Sequence, residues 1–165
     1  MVDVSGYSRL MGRDESGTLA TLKMLRREVV EPRIAAFSGC IVKTLGDGLM
    51  LEFPGVVDAV RCAVEVQTEM GAKLADIPAD RRVAFRIGVH LGDIVIDGDN
   101  IFGDGVNIAA RLQEIAAPGG VCVSGRVHND VRDLLDFGFE NGGEHMLKNI
   151  ARPVQVWRWS PSGLS

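Results

Sequence analysis

Cysteine is scarce in this sequence: there are 3, at Cys40, Cys62 and Cys122, odd in number and without CxxC spacing. That speaks against a disulfide framework or a structural zinc site and fits a reducing cytosol. Positive charge is not in excess either. The 18 Lys and Arg are outnumbered by 22 Asp and Glu, and a net charge of −4 disfavours a nucleic-acid polymer as partner. No apolar run approaches the roughly 18–20 residues needed to cross a bilayer, and no signal peptide opens the chain, so a soluble, cytoplasmic protein is expected. The phosphate loop GxxxxGK[ST] and a GxGxxG after the first strand are missing, as is the serine-hydrolase GxSxG. His90, His128 and His145 lie far apart and lack metal-ligand spacing, which makes them structural or surface residues. Internal repeats, low-complexity tracts and linkers are also absent.

What is present points to a single folded domain. The 165 residues are 46% apolar and 24% charged, ordinary values for a globular chain. A chain of this size buries roughly two-thirds of its unfolded surface, enough for a core without staples. Glycine is the unusual component, at 20 of 165.

The opening MVDVSG reads as the end of a buried strand stopped by glycine, short enough to begin upstream. Helical spacing of Leu19, Leu22, Leu25, Val29 and Val30 predicts a helix from Asp14 to the Ser38-Gly39 stop, bent or restarted at Pro32. Residues 40–44 and 49–53 flank Gly46-Asp47-Gly48 as a hairpin around a D-G turn. Residues 56–74 form a second amphipathic helix, with Val57, Val60, Val64 and Met70 inward. Residues 83–90 and 94–96 suggest a second hairpin. A polar loop over 97–105 leads into a helix over 106–116, a strand over 121–124, a short helix over 127–135 and one or two strands within 139–159. This order predicts an α/β (α+β) sandwich of the ferredoxin-like type, a mixed sheet with flanking helices.

Two carboxylates stand out by position. Asp3 ends the first strand and Asp47 sits in the first hairpin tip. If those elements are neighbours, both emerge at one sheet edge, where two oxygen ligands and a backbone carbonyl suit Mg²⁺. Taken singly, each is equally an ordinary turn or strand-end residue. Lys43 precedes the turn and by itself reads as a solvated edge charge. Asn107 and Arg111, four apart on one helix, share a face opposite Ile108 and Leu112. Arginine's planar fork suits phosphoryl oxygens, although a solvated helix face explains the pair as well.

Five stretches, VDVSGYSRLM, IVKTLGDGLMLEF, FRIGVHLGDIV, IFGDGVNIAARL and LKNIARPVQVW, together resemble the catalytic domain of class III nucleotidyl cyclases, especially bacterial adenylate cyclases. The resemblance covers residues 1–159 and implies a ferredoxin-like domain working as a homodimer. It also implies conversion of ATP to cyclic AMP and pyrophosphate by two-metal-assisted attack of the ribose 3′-OH. Asp3 and Asp47, with the Val4 carbonyl, match the positions that hold two Mg²⁺ or Mn²⁺ ions. Lys43 matches the lysine that reads adenine, where guanylate cyclases carry glutamate. Asn107 matches the ribose-orienting asparagine and Arg111 the arginine at the α-phosphate. Lys148 matches a lysine reaching the terminal phosphates. The metal aspartates would come from one subunit and the nucleotide-binding residues from the other.

The chain departs from the family at two places. Asn100, beside Asp99, stands where such enzymes commonly carry a second base-reading aspartate, which leaves selectivity to Lys43 and GTP acceptance open. Asp93 replaces a triphosphate-binding arginine, so Lys148 serves the triphosphate alone. A catalytically weak or silent nucleotide-binding or dimerisation module is the alternative reading. A fused or separate sensor module is the expected regulator.

Overall fold

In the computed structural model, which describes residues 1–92, 95–97 and 100–161, the chain opens on β1 (Val2–Val4). Its apolar–acidic–apolar alternation buries both valines and turns Asp3 to the other face of the strand. Next come α1 (Tyr7–Arg13), α2 (Glu15–Leu25), α3 (Glu31–Ala36), β2 (Cys40–Leu45), β3 (Gly48–Glu52), α4 (Val56–Lys73) and β4 (Phe85–Val89). These four strands lie in the order β2-β3-β1-β4, all antiparallel, which is the ferredoxin-like arrangement. The sheet then continues through β7 (Val121–Ser124), parallel to β4, to the antiparallel β9 (Val154–Trp159) and β8 (Glu140–His145). The expected mixed, mostly antiparallel sheet with flanking helices is what the chain forms.

One sheet face carries the main core. Val2, Val4, Phe85, Ile87, Val121 and Val123 meet Leu25, Val29, Val60, Val64, Val127 and Val131 from the helices. Fully burying such side chains contributes roughly 1.5–3 kcal/mol each. A smaller core lies on the opposite face, where Ile108, Leu112 and Ala116 of α5 (Asp104–Ile115) and its end pack on Cys122, Val156 and Leu147. α5 can sit this close because β4 offers Gly88 beneath it: a Cβ there would run into Ala109 O and Gln113 N. Gln67 of α4 fastens the centre of the sheet, donating from Nε2 to Phe85 O (2.9 Å) and Gly120 O (2.8 Å).

Several local expectations need correction. The helix predicted from Asp14 is preceded by α1, and it is divided by a π-helical turn, Arg26–Val30, in which the Glu31 amide donates to Arg26 O. Pro32 at the start of α3 has no N–H to continue an unbroken ladder, and the wider turn absorbs the break. The second hairpin does not form as expected. β4 is a central strand between β1 and β7, while the strand expected over 94–96 appears as β5 (Val95–Asp97) and pairs instead with β6 (Asn100–Phe102), which lies inside the supposed loop. β4 is apolar at Phe85 and Ile87 and bears α5 on its other face. A strand covered on both faces takes partners on both edges. α5 begins two residues earlier than expected, and the short helix α6 (Gly125–Val131) ends sooner.

A cavity of about 430 Å³ is lined by Met1, Leu51, Phe53, Val89 and Leu91 together with helix residues such as Val30 and Val66. It borders the hairpin tip at Gly46 and Asp47.

Candidate active site

The first hairpin closes on Leu45 paired with Gly48, so its two central residues are Gly46 and Asp47, one position earlier than a D-G turn would place them. Gly48 lets the hairpin lie against β1. A Cβ there would come within 2.8 Å of the Val2 carbonyl oxygen. The close approach brings Asp47 to the end of β1, where its Oδ2 accepts the Val4 amide at 3.2 Å. Asp3, Val4 and Asp47 are therefore neighbours, as the sequence reading required.

Asp3 is not free. Its register partner on β4 is Arg86, whose guanidinium grips both carboxylate oxygens, Nε to Oδ1 at 3.0 Å and Nη2 to Oδ2 at 2.7 Å. The third nitrogen, Nη1, donates to the Glu114 carbonyl at 3.2 Å. The Asp3 hydrogen bonds outweigh partial burial and hold Arg86 even more firmly protonated than usual; Asp47 adds to the attraction. Glu114 in turn accepts from Arg111 Nη1 at 2.8 Å. Asn107, Arg111 and Glu114 follow at helical spacing on the outer face of α5, and Asn107 is exposed.

Lys43 reaches the same sheet face through a β-bulge. Ile41 pairs with Leu51 on the core side, but Lys43 pairs with Met50, so one extra residue turns the lysine to the face that carries Gly48 and Asp3. Lys148 is exposed in a turn closed by Ile150 N to Leu147 O (3.0 Å), with Asn149 at φ +64. Buried Leu147 packs with Ile108 and Leu112 and so ties this turn to α5. Asn100 begins β6 opposite Asp97. Asp93 and Asp99 lie outside the described residues.

The donor set fits a hard divalent cation. Among the described residues no group of three or more His, Cys, Asp or Glu side chains converges, so an all-protein cage is not offered. Two aspartates beside one backbone carbonyl suit Mg²⁺ or Mn²⁺, ions that keep water or phosphate oxygens in their remaining positions. His90 Nδ1 lies 2.7 Å from Ser124 Oγ, His128 stacks on Trp157 with centroids 3.6 Å apart, and His145 Nε2 contacts Gly142 O at 2.9 Å. Burial, helped by the charges of Arg126 and Arg152, pushes His90 down to about 4, so it is a neutral ring.

Sequence reasoning missed Arg86 and Glu114. Part of the signal for Arg86 was available: a cation between Phe85 and Ile87 in an otherwise apolar strand needs a partner, but nothing in the sequence named Asp3 as that partner. Glu114 carried no such signal, because an acidic residue on an outer helix face is ordinary.

Over residues 2–158 the chain matches the family described as Adenylate and Guanylate cyclase catalytic domain. It is 46% identical over 159 residues to "Putative adenylate cyclase 3" of Rhizobium meliloti (strain 1021), covering 96% of this chain and 27% of that protein. The crystal structure of Adenylate/Guanylate Cyclase/Hydrolase from Silicibacter pomeroyi superimposes with a TM-score of 0.91 at 45% identity, over 98% of this chain and 94% of the other. The adenylyl cyclase CyaB from P. aeruginosa gives a TM-score of 0.79 at 21% identity, over 98% and 91% of the two chains, a likeness of fold. With the match running nearly end to end and the fold shared, the chain belongs to the adenylate and guanylate cyclase catalytic domain family.

Proposed function

We propose that the chain is an adenylate cyclase, acting on ATP at composite sites of a homodimer. The observation that carries this reading is the meeting of Asp3, Val4 and Asp47 where the hairpin docks on β1. The Asp3 and Asp47 carboxylates and the Val4 carbonyl would hold Mg²⁺ or Mn²⁺, two per site. Bound there, the ions supply a lowered pKa for the ribose 3′-OH and neutralise phosphate charge.

The remaining roles fall to the chain's own residues. Lys43, with Asn100, would hold the adenine edge, and Asn107 would orient the ribose. Arg111 would stabilise charge growing on the α-phosphate, and Lys148 would bind the terminal phosphates. The 3′-oxygen forms a bond to the α-phosphorus, the bond to the β-phosphate oxygen breaks, and pyrophosphate leaves; the 3′ proton passes to solvent. Asp3 and Asp47 would serve the site to which the partner protomer brings its nucleotide-binding residues. The chain spans 27% of the length of the Rhizobium meliloti relative, and a sensor module, fused or separate, is proposed as its regulator. A cytoplasmic location, where ATP is made available, belongs to the same reading.

The test is direct. Purified protein with Mg²⁺ or Mn²⁺ should convert ATP to cyclic AMP, preferring ATP over GTP in competition. A preference for GTP would overturn the assignment of Lys43. A second reading, a nucleotide-binding or dimerisation module without turnover, is favoured by one feature: Asp3 and Arg111 are both ion-paired within the protomer. Thermal stabilisation by ATP without cyclic AMP would support that reading instead.

A further inference from the structure

We propose that Arg86 is a positioning residue that fixes the orientation of the Asp3 carboxylate for turnover and joins it to the α5 face bearing Asn107 and Arg111. The proposal rests on the adenylate cyclase reading of Asp3 and Asp47.

The guanidinium uses both of its edges. Nε and Nη2 make a two-point contact with Asp3, which fixes the rotation of the carboxylate as a single-point ammonium could not. Nη1 on the other side takes the Glu114 carbonyl. That carbonyl belongs to the last turn of α5, where backbone acceptors have no partner within the helix and a cation is favoured. Asp3 and Arg86 are about a quarter exposed, at 22% and 27%, so the pair is partly shielded from water and holds better than a surface pair. Arg86 meets Glu114 through its backbone carbonyl, while the Glu114 carboxylate accepts from Arg111 Nη1, so one run of contacts leads from Asp3 through Arg86 to the end of α5 and Arg111.

Two consequences follow. Arg86 competes with a divalent cation for Asp3, because a fixed positive charge on both oxygens must share at least one of them when the ion arrives. Arg86 also links two different sites. In the proposed homodimer, Asp3 of one chain serves one composite site and Arg111 of the same chain serves the other. The run of contacts from Asp3 to Arg111 therefore lies between the two sites.

The experiment titrates Mn²⁺ into nucleotide-free homodimer and follows the free-ion signal by electron paramagnetic resonance, alongside kcat for cyclic AMP. Arg86→Gln removes the charge but keeps a donor; Mn²⁺ affinity should rise at least threefold while kcat falls at least tenfold. Arg86→Lys keeps the charge and loses the fork. Its Mn²⁺ affinity should stay within twofold of wild type, and its kcat should still fall at least tenfold. A merely structural arginine would lower the melting temperature without tightening Mn²⁺ binding. Unchanged or weaker binding in folded Arg86→Gln, or wild-type kcat in Arg86→Lys, overturns the proposal while leaving the cation site intact. Asp47→Asn provides the separate check: if Mn²⁺ binding by wild type is indifferent to it, the cation assignment falls, and the role of Arg86 with it.

Discussion

Asp47 reaches back 43 residues to accept the Val4 amide on Oδ2 at 3.2 Å, so one carboxylate both fastens the hairpin to β1 and faces the proposed cation site. The two duties separate by substitution. Asp47→Asn retains an acceptor for the amide and should stay within about 0.5 kcal/mol of wild type in chemical denaturation, whereas Asp47→Ala should lose about 1 kcal/mol. Both should depress cyclic AMP formation at least ~10²-fold, because either removes the charge. Retained turnover in either folded variant would show that this carboxylate holds no ion.

Arg111 should matter for turnover and little for stability. Its ion pair with Glu114 is an i,i+3 contact whose acid is 52% exposed, worth no more than about 0.5 kcal/mol. Loss of a group that stabilises charge in the transition state costs ~10²–10³-fold in comparable sites. Arg111→Ala should therefore melt almost like wild type and turn over far more slowly. Mixing it with Asp47→Ala should restore part of the activity through one intact composite site. Verified heterodimers that stay inactive would count against shared sites.

His90 predicts a pH dependence of stability. Its folded-state pKa, near 4, lies below the ordinary value of 6.5 because burial disfavours the imidazolium. The unfolded chain thus takes up a proton between pH 6.5 and 4 that the folded chain resists, and stability falls as pH drops through that window. With the ring only half-buried, the loss is on the order of 1–2 kcal/mol. Replacing His90 with Gln should flatten this part of the curve in urea titrations at several pH values. An unchanged slope would place the dependence elsewhere.

Gln67 and Gly88 predict which substitutions the scaffold refuses. Gln67→Leu removes one of two donors from each of two buried carbonyls, Phe85 O and Gly120 O, which keep the amides of Gly119 and Ile87, and should cost about 1–2 kcal/mol. Gly88→Ala forces α5 away from β4 at a cost of about 1–3 kcal/mol, and should impair turnover beyond that loss because Asn107 and Arg111 ride on α5. Wild-type melting of Gly88→Ala would mean that α5 sits less tightly on the sheet than described.

Local sequence determined a good deal. Alternation in MVDVSG turned Asp3 away from the valines, helical spacing paired Asn107 with Arg111 opposite Ile108 and Leu112, and the order of elements was enough for the ferredoxin-like arrangement. These properties depend on periods of two or 3.6 residues and can be read within a short window. Tertiary structure decided what joins distant windows. The bulge between Ile41 and Lys43 shows up only as a register against β3, and β4 found its parallel partner β7 across the intervening α5. Likewise, Arg86 acquired Asp3 from a strand 83 residues away. Partner choice in a sheet is settled by which faces must be covered and which edges must be paired, and that depends on the whole chain at once.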